Sequence, residues 1–268
     1  MNKKCILDTN KYVSLALGKT KLKDIKNRFS EIYLNEFNVI EVIAKTYPST
    51  FRFQQGIAQF FEQTNGMVET LPNHQREIWG LPTIPEETKA LEQLVKKFLT
   101  ATNYKKIEDI VVYLKSERDK SYKYFVSNVT KDLAVWKKQY SVIRKKLPDE
   151  LKSRSKKENF KLQIFQEEYL QSHLLRTRTN AYNDLGLKEP ELPNEHELNS
   201  AQQRLLYFLK FYAQYLTTSI ETQPSFNDRA DVSLTHYLGD GFSLITAESK
   251  ILNIAKEIQF EDLILNIK

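Results

Sequence analysis

Lys4-Cys5-Ile6-Leu7-Asp8-Thr9-Asn10 opens as a short apolar run and stops on an acid. Consecutive apolar side chains suit a strand covered on both faces, as strands of parallel sheets are. A carboxylate placed where such a strand ends lies at the carboxyl edge of the sheet, where open α/β folds bind ligands. Asp8 also has a plainer use, as the N-cap of a following helix. A twin stands near the other end of the chain: Phe242-Ser243-Leu244-Ile245-Thr246-Ala247-Glu248 again runs from a strand into a hydroxyl and an acid.

Working outward, Glu31-Ile32-Tyr33-Leu34 reads as a second strand, followed by helices over about 38–46 and 51–63. Met67 to Leu71 reads as a third strand. Toward the C-terminus, a helix runs from Ser225 to about Leu238 and is closed by Gly239 and Gly241; a helix over 248–258 and a strand over 260–265 follow the twin strand. Strand and helix alternate at both ends. The expected fold class is therefore α/β, with a parallel sheet built from residues 1–75 and 220–268 and the strand at 4–7 central and parallel to 242–246.

The middle reads differently. No Pro or Gly occurs between Pro85 and Pro148, in 149–185 or in 194–223. From Ile107, apolar residues recur at three- and four-residue steps as far as Leu147, with a polar step around Arg118. That pattern predicts a long amphipathic helix, or two joined end to end. Further helices are expected around Leu162–Leu174 and Leu198–Leu216. Residues 76–219 thus form a mostly helical insertion in the sheet domain.

Net charge is +6, unevenly placed. Between Val95 and Phe165 there are 19 Lys or Arg against 8 Asp or Glu, which leaves the rest of the chain net acidic. A basic middle between acidic ends suits a protein that holds an anionic polymer with one part and cations with another. Lys137, Lys138, Lys145 and Lys146 are the candidates for phosphate contact; a solvated helix surface would have the same composition. The single cysteine, Cys5, argues against a disulfide framework or a cysteine-rich zinc site and for a reducing, cytoplasmic setting. No stretch approaches the ~18 apolar residues that span a bilayer, so no membrane partner is expected. The four histidines are scattered, and neither a Gly-rich phosphate loop nor a G-x-S-x-G elbow is present.

The acids remain. Glu41 lies in Asn38-Val39-Ile40-Glu41-Val42-Ile43-Ala44, flanked by residues that look buried, so its head group needs a partner. Asp228 and Asp231, in Ser225-Phe226-Asn227-Asp228-Arg229-Ala230-Asp231, share a helix face. Ser225 and Asp228 also match a capping box. Carboxylates gathered at one sheet edge repel unless cations lie between them, and Mg²⁺ or Mn²⁺ prefers such oxygen ligands.

The order and surroundings of these residues resemble the PIN-domain nuclease family. Ile6-Leu7-Asp8-Thr9-Asn10 matches its opening strand and acid, Glu41 its early helical acid, and Asn227, Asp228 and Asp231 its later Asn-Asp-x-x-Asp segment. Thr246-Ala247-Glu248 matches its closing Thr-x-Asp, with Glu in place of Asp. The resemblance covers roughly residues 1–75 and 220–268 and leaves out the middle. It implies a PIN-like fold and Mg²⁺- or Mn²⁺-dependent cleavage of phosphodiester bonds, usually in RNA rather than DNA. Asp8, Glu41, Asp228 and Asp231 would be the catalytic and metal-binding residues, and Asn10, Asn227, Thr246 and Glu248 would orient ligand or phosphate. Some small members are toxins held by an inhibitory protein, which raises the prospect of a complex-forming partner. The alternative is a catalytically inactive PIN-like module that binds nucleic acid or protein through its helical insertion.

Overall fold

In a computed structural model, residues 3–63, 68–146, 167–190, 199–219, 226–239 and 242–267 are described. Five strands make one sheet: β1 (Lys4–Leu7), β2 (Glu31–Asn35), β3 (Val68–Glu69), β4 (Phe242–Ile245) and β5 (Ile264–Leu265). Their order is β3-β2-β1-β4-β5, and every pairing is parallel. β1 is central, as expected: Cys5 pairs with Ile32 on one side and with Ser243 on the other. The sheet therefore joins two pieces of chain, and its central neighbours β1 and β4 are over 200 residues apart in sequence.

Alternation along the strands separates two cores. Cys5, Leu7, Ile32, Leu34 and Ile245 face one side; Ile6, Tyr33, Phe242 and Leu244 face the other. The first side is covered by α1 (Thr9–Ala16), α3 (Glu36–Ala44) and α4 (Phe51–Glu62), with Ile25 of the short α2 (Leu22–Lys26). The second is covered by α10 (Phe226–Leu234) and α11 (Ser249–Glu257). A parallel sheet buried on both faces explains why β1 reads as an unbroken apolar run rather than an alternating one.

Helices from the middle of the chain take part in both cores. After α5 (Leu71–Ile78) come α6 (Pro85–Thr100) and α7 (Glu108–Lys146). Leu91, Val95 and Phe98 of α6 and Val111 and Leu114 of α7 pack into the first core. Further along α7, Phe125 and Val129 enter the second. α8 (Glu167–Asp184) lies against α9 (Ser200–Ser219), whose Phe211, Tyr215 and Leu216 complete the second core. The described part of the middle is thus helical, with a non-helical step and a 3-10 turn between α6 and α7. The helix expected over Leu162–Leu174 is present from Glu167 as part of α8, while its first residues and the side chains of Lys137, Lys138, Lys145 and Lys146 lie outside what is described.

Several expected boundaries move. α3 begins at Glu36 because Asn35 accepts from the Phe37 amide, while the Asn38 side chain accepts from the Asn35 amide, a reciprocal capping box. β3 pairs only over Val68–Glu69, since Thr70 caps α5. The expected strand over 260–265 contracts to its last two residues. Gln259, at φ 61, ends α11, and Leu263 and Ile264 both donate to Phe260 O in a turn. The helix after 225 ends at Leu234, and a 3-10 turn carries the chain to Tyr237. Among the described residues no helix is long and apolar enough to cross a membrane.

Candidate active site

The strand order reverses between β1 and β4. From β1 the chain moves outward to β2 and β3 with α1, α3 and α4 on one face; from β4 it moves outward to β5 with α11 on the other. Such a switch point opens a crevice at the carboxyl ends of the two central strands. Asp8 and Thr246 follow those two ends. The Asp8 amide continues the pairing by donating to Ile245 O at 3.0 Å, and Thr246 Oγ1 donates to Asp8 Oδ2.

Asp8 is 2% exposed and fully engaged. Its Oδ1 accepts from the Asn10 amide, so it does cap α1; its Oδ2 accepts from Thr246. Thr246 Oγ1 in turn accepts from the Glu248 amide at 2.9 Å. This chain of bonds fixes the orientation of the Asp8 carboxylate. Burial raises the Asp8 pKa, the bonds from Thr246 and Asn10 oppose that shift, and the charge of Glu41 adds to it.

Glu41 is brought to the same edge by α3. Asn38, fully buried, donates from Nδ2 to Leu7 O at 3.0 Å and so ties the first turn of α3 to the end of β1. Glu41 is three residues on, on the same helix face. Its partners come from the chain itself: Thr9 Oγ1 donates to Oε2 at 2.5 Å, and Lys45 Nζ lies 3.0 Å from Oε1. Its side chain is 13% exposed.

α10 supplies the other side. Asp228 is buried; its Oδ2 accepts from Tyr215 Oη at 2.9 Å and from Lys250 Nζ at 2.8 Å. Asp231 is raised to about 8, first by burial and then by the negative charges of Asp8, Glu41, Glu248 and Asp228. Glu248, half-buried at the N-terminus of α11, belongs to the same field despite departing from the resembled Thr-x-Asp.

Asp231 thus lies within electrostatic reach of Asp8, Glu41, Asp228 and Glu248, and Asp8 is bonded directly to Thr246. Asn10 is exposed, and its contribution is its backbone amide. The side chain of Asn227 lies outside what is described. Among the described residues no three acidic or histidine groups already surround one point as an ion cage. Their oxygens turn instead to Thr9, Thr246, Tyr215, Lys45 and Lys250. The donor set is carboxylate and hydroxyl, which suits a hard divalent cation rather than zinc or copper.

Sequence reasoning passed over Asn38, Lys45, Tyr215 and Lys250. Asn38 carries a faint signal as a polar residue between Phe37 and Val39; Tyr215 carries none, because it reaches Asp228 from a helix in the middle of the chain. Cys5 is core, as expected, and burial pushes its thiol pKa up. Among known proteins, no family model, no curated protein and no solved structure matches this chain.

Proposed function

We propose that the protein is a PIN-like, metal-dependent endonuclease acting on RNA in preference to DNA. The observation that carries this reading is Asp231, whose carboxyl is pushed up to about 8 first by burial and then by the negative charges of Asp8, Glu41, Glu248 and Asp228 around it. A cluster that costs folding energy in this way suits a ligand that removes the cost. Asp8, Glu41, Asp228 and Asp231 would hold Mg²⁺ or Mn²⁺. Such an ion, when bound, supplies a water acidic enough to attack a phosphodiester and neutralises charge on the phosphoryl oxygens.

The chain's own residues do the rest. Thr246 and the Asn10 amide hold Asp8 on rigid backbone at the end of β1. Asn38 and Thr9 place Glu41 against it. Tyr215 and Lys250 position Asp228, and Lys250 and Lys45 put positive charge at the rim, where a phosphate backbone would pass. On α7, Tyr113 and Tyr124 are 62% and 68% exposed and eleven positions apart, close to three whole turns, so both lie on one helix face. Exposed aromatic rings in such a row suit stacking on the bases of a single strand.

The test is incubation with labelled RNA and DNA in Mn²⁺, Mg²⁺ or EDTA. Internal cleavage of RNA that EDTA abolishes is expected. Binding without cleavage under every metal condition would replace this reading with that of an inactive nucleic-acid-binding module.

A further inference from the structure

Two carboxylates of the candidate active site already carry a cation. Glu41 Oε1 lies 3.0 Å from Lys45 Nζ, and Asp228 Oδ2 lies 2.8 Å from Lys250 Nζ. We infer that Lys45 and Lys250 are built-in counter-ions, which hold the place of the divalent ion on Glu41 and Asp228 and are displaced when it binds. The inference rests on the nuclease reading above and adds to it how the site is loaded.

The acids come first, since they decide which partner moves. The side chains of Glu41 and Asp228 are 13% and 7% exposed. Each is also held from the protein side, Glu41 by Thr9 Oγ1 at 2.5 Å and Asp228 by Tyr215 Oη at 2.9 Å. Both carboxylates are thus fixed in place. The lysines reach them from outside, with side chains 42% and 31% exposed. A long, partly solvated stem can swing its charged head back into water with little change in packing.

The helices come second. Lys45 follows Glu41 by four residues at the C-terminal end of α3, where a cation suits both the helix dipole and the i,i+4 spacing. By itself that is an ordinary surface pair. Lys250 is the opposite case. It is the second residue of α11, and a cation there opposes the dipole. No acid stands in that first turn. The ammonium is held instead by Asp228 and by the ring of Tyr215, whose centre is 4.7 Å away. A lysine set against its own helix dipole and bonded to a buried acid is there for the acid.

Exchange follows from charge. A divalent ion and an ammonium on one buried carboxylate repel at short range. The ion carries two charges and can use several clustered oxygens at once. A partly exposed pair of lysine and carboxylate is weak, so it yields. In the metal-free protein the two ammonium groups temper the repulsion among the acids, and by competing for their oxygens they raise the metal concentration needed to fill the site.

Mn²⁺ binding to the full chain tests this with no RNA present, read from the EPR signal of the free ion. Lys45→Met and Lys250→Met, both folded by circular dichroism, should each bind Mn²⁺ about two- to fivefold more tightly than wild type. Lys45→Arg and Lys250→Arg keep the charge and should show no such gain. A lysine that merely positions its acid would give a Met variant with unchanged or weaker Mn²⁺ affinity; that result overturns the assignment for that lysine, and so does an equal gain in its Arg variant. No Mn²⁺ binding by the wild type would overturn the inference and the nuclease reading together. RNA cleavage is read separately. Cleavage by the wild type with Mn²⁺ affinity unchanged in the Met variants would sink the inference alone; tighter Mn²⁺ binding by the Met variants without cleavage by the wild type would sink the nuclease reading alone.

Discussion

Asp8 carries two duties that the sequence alone sets against each other, helix cap and member of a charged cluster. The structure has it doing both, one oxygen toward Asn10 and the other toward Thr246. Asp8→Asn keeps an acceptor for the cap and removes the charge. It should abolish cleavage, leave the metal-free fold at least as stable as wild type, and reduce the melting-temperature gain on adding Mn²⁺. Thr246→Val tests orientation alone. With the hydroxyl gone, Asp8 keeps its charge and loses its guide, so activity should fall by about 10–100-fold, the usual cost of removing a ligand's outer partner. An unchanged rate in Thr246→Val would show that the bond to Asp8 is incidental. Asp8 and Glu248 were legible because each follows a strand, Glu41 because it interrupts an apolar helix, and Asp228 and Asp231 because their spacing of three puts them on one helix face. Their partners were not: Lys250 is 22 positions from Asp228 and Thr9 is 32 from Glu41, and no local pattern joins them.

At the scale of elements, all five strands could be read from the sequence, but β3 and β5, expected over 67–71 and 260–265, pair over only two residues each, because pairing rather than composition sets their length. α7 was legible as a long helix. Less legible was its division of labour, with its first turns in one core and Phe125 and Val129 in the other. Sequence spacing gives a helix its apolar stripe but not the identity of what that stripe meets. α9 is the sharper test of the packing, because it comes from the middle of the chain yet closes the second face of the sheet. Phe211 is completely buried, and Phe211→Ala should cost about 3–5 kcal/mol in denaturant unfolding. Val112, 61% exposed on α7, should tolerate Ala within about 0.5 kcal/mol. A small loss at Phe211 would mean that α9 does not cover the sheet.

At the scale of the whole molecule, the sheet assembles acids from both chain ends at its switch point, and folding pays for their proximity. The sign of the pH dependence follows. Asp231 in the folded protein titrates at about 8 against ~3.9 when unfolded. Its contribution to stability is therefore fullest below pH ~4 and is lost as pH rises through about 8. The metal-free protein should become less stable across that window, and Asp231→Asn should flatten the decline. Mn²⁺ should stabilise the wild type more at pH 8 than at pH 5, because ion binding and protonation compete for the same oxygens. Melts that show no pH dependence beyond that of Asp231→Asn would contradict the raised Asp231 titration, set by burial and by the surrounding acids, on which the functional reading stands.

The most direct single measurement is the cleavage of labelled single-stranded RNA with Mn²⁺ at pH 8, run side by side for wild type and Asp8→Asn. The account predicts internal cuts by the wild type that EDTA abolishes, and none above background by a folded Asp8→Asn. Cleavage by Asp8→Asn at the wild-type rate would contradict it.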